Sequence, residues 1–408
     1  MKPVTHEADP NLIERSGDLK REVLEFALGR RFSRELRRAT RERFGPVVAA
    51  DEGEYGNFLD YFILQRRLPD GRTVVEHFVD RHPELPEAER AMLLGWRDVV
   101  EGVFAVERRE GEALIAKNLI DELSYRVRSN MGPGVFSRTP AGSFLIARLV
   151  PVADEWLISG FISVLPASRR RDAYRLAAEM GLARPARVFR NPEKLEQGRT
   201  FDRREVAAFR QFFGSNVAVL PGRDLVARMN AYWRFRIHEF REEDGRTAAE
   251  KAAQRGVEVP AISEADLPAA LLESEAVGVI YDEVDGLNYF PDFGLVEETF
   301  ASPERAADPD HRQAVLTYLE SPGIIPLPLR LLAERDPQRA SRVFQQVLNR
   351  PRFSWERDGE QLLRRHKPEY YERPPLPTMI PLSDELSQAS QATSDRPRRR
   401  GRGRRHRT

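Results

Sequence analysis

Val103-Phe104-Ala105-Val106-Glu107-Arg108 opens a series of short apolar or alternating runs that continues at Ala113 to Ile120, Ser124 to Arg128, Ser143 to Val152 and Trp156 to Leu165. The runs are separated by turn residues: Gly111, Asn130-Met131-Gly132-Pro133-Gly134, and Ala153-Asp154-Glu155. Five such runs with tight connections predict an antiparallel sheet or small barrel. Small barrels often bind nucleic acid, but a fold alone licenses no function.

Helical periodicity flanks this region on both sides. Residues 16 to 44 read as one helix, with Leu19, Val23, Phe26 and Ala27 at helical spacing and Gly45-Pro46 as the stop. Glu84 to Val103 read as another, opened by Pro86. Beyond residue 166 helices are predicted at 168–182, 202–213, 223–243, 246–255, 308–320, 326–335 and 337–349, the last with Asp336 as N-cap and Pro337 at its first position. Asn216 to Leu220 and Ala276 to Tyr281 read as strands, and Asp285-Gly286 as a hairpin signal. The fold class is therefore α+β. It comprises a helical N-terminal region (1–102), an antiparallel strand-rich middle (103–166), a mixed helical and strand region (167–372), a proline-rich strap with a polar linker (373–395) and a basic tail (396–408). The linker, Ser383 to Asp395, is expected to be flexible and to span ~20 Å on average.

Charge is sorted along the chain. The 65 Lys+Arg nearly balance the 64 Asp+Glu, yet eight arginines fall in the tail with no acidic residue among them: Arg396, Arg398, Arg399, Arg400, Arg402, Arg404, Arg405 and Arg407. Without residues 396–408 the remainder has 57 basic against 64 acidic residues, a net −7. A like-charge block of this density is expected to stay disordered and to contact polyanions. A second basic surface is expected on the first helix, where Arg30, Arg34, Arg37 and Arg41 recur at i, i+4, i+7 and i+11 and so share one face. Only six basic residues are lysines, so arginine is favoured throughout, and the segregation of charge is the informative feature.

Sites for small-molecule chemistry are sparse. The chain has no cysteine, which excludes disulfides, thiolate metal sites and a cysteine nucleophile. No glycine-rich phosphate loop is present, and no pattern calls for a cofactor or metal: His238-Glu239-Phe240-Arg241-Glu242 lacks the second histidine of a zinc helix. The densest carboxylate group is Asp282, Glu283, Asp285 and Asp292, the one place where an enzyme of unknown class could keep an acidic site. Tyr232, Trp233, Phe235 and Phe240 interleave with arginines, but their spacing suits a packing stripe. Neither a signal peptide nor a membrane span is expected, and a cytoplasmic location suits the composition.

The run Asn57-Phe58-Leu59-Asp60-Tyr61-Phe62-Ile63-Leu64, then Asp70-Gly71-Arg72-Thr73-Val74, Pro86 to Glu101, Val103 to Glu107 and Ala147-Arg148-Leu149-Val150-Pro151 resembles a poorly characterised bacterial domain that often accompanies a SEC-C motif. The resemblance covers residues 57–165. SEC-C motifs are cysteine-rich zinc modules that suggest links to translation or secretion; this chain has no cysteine, so no zinc ligand carries over. The expected role is non-catalytic binding of RNA or a ribonucleoprotein through the tail. The alternatives are an enzyme acting near 282–292 and an interaction protein whose arginines grip an acidic partner.

Overall fold

A computed structural model describes residues 10–46, 50–137, 139–254, 256 and 267–394. The chain divides into two compact units, Met1–Lys194 with Pro381–Thr408, and Leu195–Ile380.

The first unit begins with α1 (Pro10–Leu28), a 3₁₀ turn (Arg30–Phe32), α2 (Ser33–Phe44), α3 (Glu52–Leu64), α4 (Val74–Arg81) and α5 (Glu87–Gly95). The single helix expected over 16–44 is thus two, broken at Gly29 and the 3₁₀ turn, where Phe32 turns inward and is buried. The expected helix at 84–103 ends at Gly95, because from Val100 the backbone pairs with a strand instead. Local capping fixes the starts of α3 and α4. Asp51 accepts the Glu54 N–H at 2.8 Å, and Thr73 with Glu76 forms a capping box at the head of α4. Leu19, Val23, Phe62, Phe78 and Trp96 build the helical core, which Val150, Val152 and Leu157 join from the sheet.

The five expected strands all form: β1 (Val100–Glu110), β2 (Ala113–Asn118), β3 (Ser124–Arg128), β4 (Phe144–Val152) and β5 (Glu155–Leu165). They close into a barrel in the order β1-β2-β3-β5-β4. Closure rests on one parallel pair, β3 with β5 (Val127 opposite Trp156), so the region is antiparallel except at this seam. Phe104, Leu114, Tyr125, Val127, Leu145 and Leu149 fill the interior. Helix α6 (Arg170–Ala183) follows, and a C-terminal helix at Asp384–Ser394 belongs to the same unit. That helix replaces the flexible linker expected at 383–395. Its Leu386 is 1% exposed, so a polar segment folds around one buried anchor.

The second unit carries α7 (Pro192–Phe213), whose first turn precedes the boundary, β6 (Val217–Leu220), α8 (Gly222–His238), α9 (Ala248–Gln254), α10 (Ala269–Leu272), β7 (Val277–Asp282), β8 (Gly286–Phe290) and α11 (Phe293–Ala301). It continues with α12 (Pro309–Glu320), α13 (Leu327–Arg335), α14 (Pro337–Val347), α15 (Trp355–His366) and α16 (Pro368–Glu372). The strands form an antiparallel sheet, β6-β7-β8. Central β7 is buried on both faces: Val277, Val279 and Tyr281 enter one core with Phe209, Met229 and Tyr232, and Ile280 enters another with Phe293 and Phe344. Tyr232 and Phe240 are therefore core residues. Asp336 caps α14 through the N–H groups of Gln338 and Arg339, with Pro337 in the first turn, as the sequence implies.

Candidate functional site

Arg30, Arg34, Arg37 and Arg41 are all exposed. Arg30 lies in the 3₁₀ turn, and the other three share a face of α2 opposite buried Ala39. Among the described residues none of the four has a carboxylate partner, although carboxylates are close by in the sequence. Glu42 is taken by Arg38 (2.9 Å) and Arg66 (2.8 Å), and Glu54 by Arg43 (3.4 Å). The tail positions Arg396, Arg398, Arg399, Arg400, Arg402, Arg404, Arg405 and Arg407 lie outside the described residues.

A second arginine surface escaped sequence reasoning. In the second unit a groove of about 1020 Å³ is lined by Arg350, Arg352, Arg357, Arg364 and Arg365 against one carboxylate, Asp358, over a floor of Phe353 and Leu362. Asp358 pairs with Arg357 (2.7 Å), and Glu360 pairs with Arg364 (3.0 Å). No ion pair is formed by Arg350, Arg352 or Arg365 among the described residues. The signal was present as Arg350-Pro351-Arg352 and Arg364-Arg365, but only the turn after α14 and the face of α15 bring the two pairs together.

The acidic residues at 282–292 are engaged separately. Asp282 closes the hairpin, its Oδ1 accepting the N–H groups of Val284 (2.8 Å) and Asp285 (3.0 Å). Burial pushes the Asp285 carboxyl above its ordinary range, and the Tyr370 hydroxyl donates to it at 3.0 Å. Asp292, in a left-handed backbone conformation at φ 56°, bonds Ser274. Asp282, Asp285 and Asp292 are bonded within or beside turns while Glu283 is exposed, and among the described residues no three His, Cys, Asp or Glu side chains group to hold a metal. Glu242 is likewise spent on Arg204, Arg236 and Lys251.

The first unit does contain a convergence of charge in a nearly dry place. Asp60 on α3 and Arg148 on β4 are 4% and 5% exposed. Arg148 Nε donates to Asp60 at 3.2 Å, and its remaining N–H groups reach Gln65 (2.8 Å) and Glu101 (3.5 Å). Lys20 of α1 pairs with Asp60 and donates to Ser159 of β5, whose hydroxyl donates to Asp60 at 2.8 Å. Burial alone would push the Asp60 carboxyl up; Lys20, Arg148 and the hydrogen bonds together hold it below the ordinary range. Gly160, at φ 81°, lets the strand turn past Asn57, which accepts the Phe161 N–H at 3.0 Å. Above this cluster is an apolar cavity of about 520 Å³ whose walls include Val23, Leu24, Leu59 and Ile63. Ser159 is fully buried and its proton is directed to Asp60, so the cluster does not present an activated nucleophile.

No helix among the described residues is long and apolar enough to cross a membrane. No family model, no curated protein and no solved structure matches this chain.

Proposed function

We propose that the protein binds RNA, alone or in a ribonucleoprotein, without catalysing a reaction on it. The tail arginines act as an arm and Arg30, Arg34, Arg37 and Arg41 as a fixed cationic surface. One observation carries the reading: these four arginines cluster within twelve residues, stay exposed and have no carboxylate partner among the described residues, while Arg38, Arg43 and Arg66 nearby pair with Glu42 and Glu54. Unpaired guanidinium groups can meet phosphate without first breaking an ion pair. The barrel strands offer less. Arg126 is engaged with Glu110 (2.7 Å) and Glu155 (2.5 Å), and Arg128 with Glu112 (3.0 Å). The groove at Arg350, Arg352 and Arg365 belongs to the same reading, as a second place where phosphates are met by unpaired arginines. Base specificity is expected to be slight, because the contacts proposed are to phosphate. The relation over residues 57–165 to the domain that accompanies SEC-C motifs is part of this proposal and brings no zinc ligand.

The test is fluorescence anisotropy with single-stranded RNAs of different sequence. Removing Arg396–Thr408, or changing Arg30, Arg34, Arg37 and Arg41 to Gln, is expected to weaken binding to all sequences alike. Unchanged affinity in both variants would remove the proposal.

A further inference from the structure

The cavity above Asp60 has a donor and acceptor balance that selects a ligand. An ammonium group carries three N–H donors and no acceptor. Lys20 spends two of them, on Asp60 and Ser159, and its side chain remains 30% exposed. The lining contains a second unspent donor. Trp96, 1% exposed, has a buried indole N–H with no hydrogen-bond partner among the described residues, although buried polar atoms are nearly always satisfied. Among the lining side chains the one carboxylate, Asp60, already takes Lys20, Arg148 and Ser159. The remaining wall is aliphatic or aromatic, including Leu24, Leu59, Ile63 and Phe161. Phe161 and Met131 are 53% and 82% exposed, large apolar side chains at the rim where water would otherwise be expected to favour polar ones. A cavity of about 520 Å³ lies in the size range of small-molecule sites, which pair apolar walls with a few placed polar groups.

We propose that this cavity binds a small amphipathic monocarboxylate, whose apolar chain lies along Leu24, Leu59 and Ile63 and whose carboxylate accepts the third N–H of Lys20. The head is an acceptor, since the unspent side-chain groups of the lining are donors. It is anionic rather than neutral to draw on the ammonium charge, and small because the cavity holds about 520 Å³. Ser159 and Asp60 are positioning residues here: they hold the Lys20 side chain at the floor. The inference does not rest on RNA binding, and the arginine face is not part of the cavity.

Calorimetric titration of the full chain with octanoate, and separately with octylammonium, tests it. Octanoate is expected to bind with one site and octylammonium, which has the same chain and the opposite charge, is not. Lys20→Met is expected to lower octanoate affinity ~10-fold or more, the usual worth of a hydrogen bond to a charged group. Leu59→Trp, which leaves the charge cluster in place and fills the cavity, is expected to abolish binding and keeps the test usable if Lys20→Met does not fold. In the amide and indole NMR spectrum, octanoate is expected to shift the indole resonance that Trp96→Phe removes. Equal binding of both amphiphiles, octanoate binding unaffected by Leu59→Trp, or no heat with octanoate at all would each overturn the proposal.

Discussion

Replacing Asp60 by Ala should destabilise the first unit more than any single surface change. The carboxylate is 4% exposed and accepts from Arg148 at 3.2 Å, from Ser159 at 2.8 Å and from Lys20. Its loss leaves the Arg148 guanidinium, itself 5% exposed, with Glu101 at 3.5 Å as the nearest remaining anion of this cluster. Removing one partner of a buried pair costs about 3–5 kcal/mol, most of it the uncompensated charge left behind. The share of Lys20 is small, because its side chain is 30% exposed and water screens it. Urea denaturation followed by tryptophan fluorescence measures the loss. A double-mutant cycle with Arg148→Met then isolates the pair: the double variant should cost less than the sum of the singles by about 2 kcal/mol, since the orphaned charge is gone. The pH dependence has a definite sign. A carboxyl held below its ordinary value contributes stability above the unfolded pKa of about 4, and that contribution fades as pH falls through the lower folded value. The gap between the parent and Asp60→Asn should therefore narrow in acid. A cost below ~1 kcal/mol for Asp60→Ala, or additive single changes, would refute the reasoning, since a buried pair of this geometry cannot lose one member without leaving the other exposed to desolvation.

Two other expectations concern the second unit. Gly286→Val should cost about 2–5 kcal/mol in denaturant melts, summing a left-handed backbone for a branched residue and local overpacking. Gly286 has φ 70°, and a Cβ there would sit 2.7 Å from Thr378 Cγ2, which cannot yield easily because Asp202 accepts both its hydroxyl (2.6 Å) and its N–H (3.0 Å). A variant that melts like the parent contradicts the hairpin geometry. Lys367 is 4% exposed and burial lowers its ammonium pKa to about 8, with the Ser321 carbonyl as its hydrogen-bond acceptor. Below pH 8 the buried charge is a penalty in full; between about 8 and 10.5 the folded state sheds the proton first, so stability rises with pH. Lys367→Met should raise the melting temperature at pH 7, with a gain that shrinks towards pH 10, and a gain that is flat across this range would count against the assignment.

Local chemistry made the strands readable. Gly111, Ala153-Asp154 and the Asn130 to Gly134 segment mark the ends of the barrel runs, and β1 to β5 fall within a few residues of where turn chemistry places them. The seam between β3 and β5 was not readable, because a parallel pairing joins segments separated by the whole of β4 and leaves no trace in either. Helix α3 was missed for a different reason: Phe58, Phe62, Ile63 and Leu64 are all buried, so the apolar positions crowd together without a clean helical period. The last helix was misread as linker because eleven residues with one deeply buried apolar anchor have the composition of a loop. The charge cluster was half visible. Asp60 and Arg148 each interrupt an apolar run, which marks them as anomalous, but 88 residues separate them and only the packing of α3 on the barrel makes them partners. The arginine face was readable in position and not in continuity, since helical spacing placed Arg34, Arg37 and Arg41 together while the break at Gly29 moved Arg30 into a 3₁₀ turn.

The salt dependence of RNA binding tests the functional reading most directly. In a chain lacking Arg396–Thr408, so that the arm does not contribute, affinity for single-stranded RNA is measured from low to physiological salt before and after changing Arg30, Arg34, Arg37 and Arg41 to Gln. Each phosphate contact contributes ~0.7 to the log–log slope, so four engaged arginines should make the slope shallower by about 2.8 when they are removed. The same slope before and after the change would contradict the account, because four exposed arginines without carboxylate partners would then meet no phosphate at all.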